Sequence, residues 1–434
     1  HLSLLEDWDK PIQNQPLLAD SVLDNSANPS MTHEELKAIE GGVLLLNASD
    51  FESLAVEIEK TKAILFSSDL NFDNTAEGRR LSAVLPEISA EFLAKGARCA
   101  VVATSWAQLE KRMQLLSDNL DDRDKWDFLA KQMVFITDEP PLPSSAKLVQ
   151  MFPGQGSQYV GMTLDLSKRF NVIGETWDEA DKTMIEILDG EKLSEFVLRE
   201  NLSPDEVKIA EEKLKQTEFT QPAMLTADLA IYRLLQEHDI NPDMVAGHSL
   251  GEYAALMVSG IIKFHDALRA AAARGTEMGN VDVPDQGLMA SVTAPFGKVE
   301  EVINSVDGYV IAANKNSPLM TVIAGDTPSM QSAISKFDEL NIPCVTLQTS
   351  HAFHSSIIAP ANEPLRRFLE GLELSLPTIP ITANYDGQFY PNNLAEGETI
   401  HDAILRQLAP QMSSAVEWTE QVQEMYSKGG RLFM

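Results

Sequence analysis

Residues Val245-Ala246-Gly247-His248-Ser249-Leu250-Gly251 constrain this chain more than any other stretch. Met244, Val245 and Ala246 read as the end of a buried strand, and Tyr253 to Met257 as the start of a helix, with G-x-S-x-G between them. A strand that passes into a helix over so few residues needs glycine at the bend. Such a turn leaves the Ser249 hydroxyl exposed at the helix N-terminus, where the Leu250 N–H faces a developing oxyanion. The five-residue pattern is short, and its weight comes from the strand before it and the helix after it.

The flanking sequence supplies an α/β frame. Residues 1 to about 40 are acidic and rich in Asn, Asp and Pro, and read as a connecting or wrapping segment. Val43–Leu46, Cys99–Ala103 and Met133–Ile136 read as strands. Helices are expected after a Ser49-x-x-Glu52 capping box, around Glu87 to Lys95, and after Ser105-x-x-Gln108. This gives a small α/β module over residues 1–146. The run DEPPLPSS, Asp138 to Ser145, closes it, because its prolines continue neither a helix nor a sheet centre.

A new domain opens with the strand Leu148–Phe152, which runs directly into Pro153-Gly154-Gln155-Gly156. That segment is either a plain turn or a way to bring the Gln155 amide close to a ligand. Polar helices over Phe170 to Lys215 precede an amphipathic helix opened by Thr220-Gln221-Pro222, with Pro222 in its first turn. Beyond the Ser249 turn a helix carries Ala267 to Ala273 and ends at Arg274, a place where an arginine is ordinarily exposed and complements the helix dipole.

Residues 287–348 then spell β-α-β-β-α-β, the order of a ferredoxin-like subdomain. Within it, Lys315 to Pro318 is expected to turn the chain. A strand Thr378 to Ala383 and further helices follow. Residues 147–286 and 349–434 thus form one large α/β domain, hydrolase-like, with a mainly parallel sheet and the smaller unit inserted into it.

Charge and composition narrow the functions. A net charge of −31 on 434 residues repels nucleic acid and anionic membranes alike, so neither is expected as a partner. No apolar run reaches the roughly 20 residues of a membrane span. The two cysteines, Cys99 and Cys344, sit in strand-like runs and read as reduced packing residues, which fits a cytoplasmic protein. The chain opens on His1 and stops at Arg431-Leu432-Phe433-Met434 in mid-strand, and so reads as a piece of a longer polypeptide.

A serine nucleophile needs a base. His248 points away from Ser249 in such a turn, and His238, His265 and His401 lie on polar helices. His351 and His354, in a loop after a strand, are the candidates, and one of them is the base. The carboxylates between serine and histidine stand in no distinctive context, which favours a Ser/His dyad over a triad. A hydrolase using the same turn is the competing reading, and a catalytically idle docking domain is a second.

The ordered set FPGQGSQ, QPA, GHSLGEYAAL, Arg274, NSP with TVIAG, and HAFHS resembles the malonyl-CoA:acyl carrier protein acyltransferase domains of type I polyketide and polyunsaturated fatty acid synthases, from about Leu148 to the C-terminus. The upstream module resembles the linker between ketosynthase and acyltransferase in such assemblies. The resemblance implies Ser249 as nucleophile, His354 as base, and Gln155 with the Leu250 N–H as oxyanion donors. It further implies Arg274 as clamp for the malonyl carboxylate, Phe353 and His351 beside the substrate, and the Glu417 backbone carbonyl as orienter of the histidine. Its substrate is malonyl-CoA. Its partners are a carrier protein bearing phosphopantetheine and a neighbouring ketosynthase, and no metal or resident cofactor is implied. The family's Gly-Pro segment beyond the last strand is missing here, as expected of a truncated piece.

Overall fold

The computed structural model describes residues 42–66, 96–103, 106–140 and 142–434. The expected N-terminal connecting segment, the helix around Glu87 to Lys95 and the Ser105 cap lie outside them. The chain divides into two compact units, with the boundary between Ser145 and Ala146 at the end of the proline-rich run.

In the first unit, strands β1 (Gly42–Ala48), β2 (Ala97–Ala103) and β3 (Val134–Thr137) form an antiparallel sheet in that order. Helices Phe51–Leu65, Trp106–Asn119 and Trp126–Lys131 accompany it. Leu44, Leu54, Ile58, Cys99, Val101, Met113 and Leu129 make the core. The first helix is capped by Asp50, whose carboxylate accepts the Ser53 N–H at 2.8 Å. Asp50 rather than Ser49 holds the cap because the helix starts at Phe51, which puts the orphan Ser53 N–H within reach of the Asp50 carboxylate.

The second unit is built on a parallel sheet of β4 (Lys147–Phe152), β5 (Met244–Gly247) and β10 (Gly430–Phe433), in the order β10-β4-β5. The expected strand Thr378–Ala383 is reduced to two isolated bridges, Val245 to Ile381 and Thr382 to Phe389. Pro380 has no N–H for a ladder, although its carbonyl accepts from Val245 at 2.9 Å. The helix Thr217–Glu237 begins earlier than its proline implied, so Pro222 stands inside it. Phe219 to Ala230 are buried all round rather than along one stripe, because helices Asn171–Met184 and Phe264–Gly279 pack against this one. The helix Asn171–Met184 buries Ile173, Trp177, Ala180 and Met184 and is not the polar surface helix its composition implied.

Between these elements lies an antiparallel sheet of β6 (Leu288–Thr293), β7 (Val310–Ser317), β8 (Met320–Gly325) and β9 (Cys344–Thr346), in the order β7-β8-β6-β9. With helices Phe296–Asn304 and Thr327–Glu339 this is the ferredoxin-like arrangement. Lys315 to Ser317 remain in β7, and the turn falls on Pro318 and Leu319. Two register irregularities absorb the polar residues there. The free edge of β7 is held by Val416, whose N–H donates to Ala313 and whose carbonyl accepts from Lys315. This contact brings residues 411–418 alongside the Ser249 turn. Among the described residues no helix is long and apolar enough to cross a membrane.

Candidate active site

The turn after β5 is strained in a particular way. Ser249 itself takes φ +53°, a left-handed conformation that a non-glycine residue adopts only under constraint. The flanking glycines supply room. A Cβ on Gly247 would stand 1.9 Å from the Gly251 carbonyl oxygen, and one on Gly251 would stand 2.2 Å from that of Phe152. The PGQG loop is seated on the same turn, since a Cβ on Gly154 would meet the His248 carbonyl oxygen at 2.7 Å. Asn384 ties the bend from below. Its side chain accepts the Ser249 N–H at 2.6 Å and donates to the Gly247 carbonyl at 2.6 Å.

His354 reaches this serine and His351 does not. The His354 Nε2 lies 2.7 Å from Ser249 Oγ, and its Nδ1 lies 3.1 Å from the carbonyl oxygens of both Gln411 and Ser414. Carbonyls only accept, so Nδ1 carries the proton, and the lone pair of Nε2 faces the serine hydroxyl. Burial, then the neighbouring charge of Arg274, then His248 push the His354 imidazole down to about 3 and keep it neutral. The His351 ring is buried between the Val281 carbonyl at 3.1 Å and the Ser350 hydroxyl at 3.2 Å. It braces the strand of chain leading into the inserted sheet. Phe353 packs between the core of the large lobe and the cluster of Met289, Val322 and Ala352 under the inserted sheet.

Glu417 is not the orienter of the histidine. Its N–H donates to the Asn384 carbonyl, and its carboxylate pairs with Lys315 at 2.8 Å. The carbonyls at His354 come from Gln411 and Ser414, in the short turn before Glu417. The 3-10 turn at Gln411–Ser413 directs these carbonyls inward, a local geometry that no periodicity announces.

Arg274 is not the exposed helix-end arginine that its place in the helix alone implied, and its burial agrees with the clamp that the resemblance implied. It lies inside the helix Phe264–Gly279 and is 2% exposed. Nη1 donates to Gln221 Oε1 at 3.0 Å, and Nη2 makes long contacts with Gln411 Oε1 at 3.3 Å and Ser249 Oγ at 3.4 Å, while Nε has no acceptor. Nε and Nη2 share one edge of the guanidinium, so the fork that binds carboxylates bidentately is underused and faces the serine. Burial lowers the affinity of Arg274 for its proton, partly offset by Tyr253 and Glu252.

The Leu250 N–H, at the start of the helix Gly251–Val258, has no acceptor among the described residues. Gln155 is exposed on the loop seated against the turn and makes no hydrogen bond among the described residues. Sequence reasoning did not assign roles to Gln221, Glu252, Asn384, Tyr390 or Gln411. A buried polar residue within apolar neighbours, as at Gln221 and Glu252, was the available signal. Among the described residues no cluster of His, Cys, Asp or Glu could hold a metal ion.

A serine hydroxyl hydrogen-bonded to a neutral imidazole, an unbonded amide at a helix start and a buried guanidinium, on an α/β fold, form a site with the parts that acyl transfer requires. Residues 149–429 match the model of the acyl transferase domain family, and the chain belongs to that family. It is 34% identical over 286 residues to the malonyl CoA-acyl carrier protein transacylase of Escherichia coli O157:H7, covering 64% of this chain and 85% of that protein. The crystal structure of the Streptococcus pneumoniae enzyme designated MCAT is 33% identical, with a TM-score of 0.57, 66% of this chain and 88% of that one being covered. The acyl transferase domain of SpnD, at 22% identity and a TM-score of 0.65, shares the fold over 90% of this chain and 83% of its own.

Proposed function

We propose that this domain transfers a malonyl group from coenzyme A to the phosphopantetheine thiol of an acyl carrier protein, through an ester on Ser249. The observation that carries this reading is Arg274: a buried cation beside the nucleophile, with its Nε unpartnered, suits an acyl group that ends in a carboxylate. Relatives named malonyl CoA-acyl carrier protein transacylases support it, as does the 31% identical malonyl-transacylase whose structure was solved with its type II polyketide acyl-carrier protein.

In the first half-reaction His354 Nε2 takes the Ser249 proton as Oγ attacks the thioester carbonyl. The oxyanion is stabilised by the Leu250 N–H and the Gln155 amide, and coenzyme A leaves as its thiol after receiving that proton from His354. In the second, His354 takes the proton of the carrier's thiol, the sulfur attacks the malonyl ester, and Ser249 recovers its hydroxyl. The Gln411 and Ser414 carbonyls hold the imidazole throughout in the productive tautomer. The first unit acts as a linker next to a ketosynthase of the same cytoplasmic polypeptide.

A hydrolase would use the same serine and histidine but has no need of a cation beside the acyl group. The two are separated by following the malonyl-enzyme after addition of holo-carrier protein. Transfer to the carrier faster than release of malonate supports the reading, and malonate release unaffected by the carrier refutes it.

A further inference from the structure

We infer that Glu252 is a positioning residue for the selection of the acyl group, acting on Arg274 through the side chain of Gln411. This deepens the function proposed above and rests on Arg274 being the carboxylate clamp.

Glu252 lies on the helix Gly251–Val258 and is fully buried. Its Oε1 accepts from the Tyr390 hydroxyl at 2.6 Å and the Asn384 N–H at 3.0 Å, and its Oε2 accepts from Gln411 Nε2 at 2.9 Å. The same Gln411 amide nitrogen donates to the Ser249 carbonyl at 2.5 Å. Burial pushes the Glu252 carboxyl up to about 7. The Ser249 peptide carbonyl presents only an acceptor whether or not Glu252 carries a proton, so the amide of Gln411 has one satisfactory orientation, with its nitrogen toward Ser249 and Glu252 Oε2. That orientation turns Oε1 toward Arg274 Nη2, where it stands at 3.3 Å. If the amide were reversed, its NH2 would face the guanidinium, donor against donor, and its oxygen would face the Ser249 carbonyl. The charge of Glu252 also acts on Arg274 from one residue away. Ionised Glu252 is therefore an anionic neighbour of the arginine that forms no ion pair with its fork. Glu252 keeps the cation in place and leaves its Nε without a hydrogen-bond partner.

The isosteric Glu252→Gln tests this, because it keeps the shape of the side chain. Its amide oxygen still accepts from Tyr390 and Asn384, and its NH2 then confronts the Gln411 NH2, donor against donor, and pushes that side chain from its place beside Arg274. Acylation by malonyl-CoA and by acetyl-CoA is followed by intact mass in rapid-quench samples of the whole chain, with thermal melting to show that each variant is folded. Malonyl acylation should fall at least about tenfold, the loss of a charged hydrogen bond, with a much smaller change for acetyl. Gln411→Met should lower the malonyl to acetyl ratio in the same way, and adding Glu252→Gln to it should cause no further fall, since the two act in series. A folded Glu252→Gln or Gln411→Met chain with the wild-type ratio overturns the inference. So does a double variant in which the two defects multiply. Wild-type chain that malonylates and passes the group to the carrier leaves the proposed function standing in either case.

Discussion

Replacing Arg274 by alanine separates a carboxylate clamp from a packing arginine. The guanidinium is 2% exposed, with one firm hydrogen bond to Gln221, two long contacts and an unpaired Nε. A malonyl carboxylate on the open edge gains two charged hydrogen bonds, each contributing about 1.5–3 kcal/mol. Water entering the space left by the side chain solvates the carboxylate and returns part of this. The net loss is then about 1.4–2.8 kcal/mol, a roughly tenfold to hundredfold fall in the acylation rate constant for malonyl-CoA. Acetyl-CoA has no carboxylate to lose. Removing the nearby positive charge also raises the basicity of His354, which Arg274 depresses, so acetyl acylation should hold or rise. The assay is single-turnover acylation of wild type and Arg274→Ala with both thioesters. An equal fall with both would mean that Arg274 supports the site as a whole, and the reasoning from its open fork would be refuted.

Other outcomes follow from the same geometry. His354→Ala should slow acylation by several orders of magnitude, whereas His351→Ala, which breaks a bond to the Val281 carbonyl, should lower the melting temperature with a smaller effect on rate; stopped-flow and melting curves that rank them the other way would move the base to His351. Phe353→Ser should raise methylmalonyl relative to malonyl acylation by emptying space between the two clusters, and an unchanged ratio in a competition assay would place the pocket wall elsewhere. Below pH 6.5 the unfolded chain protonates His354 while the native state, at about 3, does not, so this group's contribution to stability is lost as pH falls, by about 1.4 kcal/mol per pH unit. Urea unfolding at pH 7 and pH 5 should therefore show a smaller loss in His354→Ala than in wild type, and equal losses would contradict the buried neutral imidazole.

Much of this site could be read from local pattern, and the remainder depends on contacts distant in sequence. The strand, turn and helix around Ser249 follow from adjacent residues, and the βαββαβ order of 287–348 from the alternation of periodicities. From its place on the helix alone Arg274 reads as exposed, because nothing local reveals that the helix Thr217–Glu237 brings Gln221 onto its guanidinium; only the family resemblance pointed to a clamp. The orienting carbonyls belong to Gln411 and Ser414 because a 3-10 turn, fixed by the pairing of Val416 with β7, sets their direction; Glu417 lies a few residues too far along. The hub formed by Gln411 joins residues more than 150 positions apart, and no spacing rule reaches that far.

The central claim is that Ser249 carries the malonyl group. Wild-type chain mixed with malonyl-CoA and desalted should show by intact mass the addition of a single malonyl group, mapped by peptide digestion to the segment containing Ser249, and Ser249→Ala should show none. An adduct that persists in Ser249→Ala, or that maps to another residue in the wild type, would contradict the account.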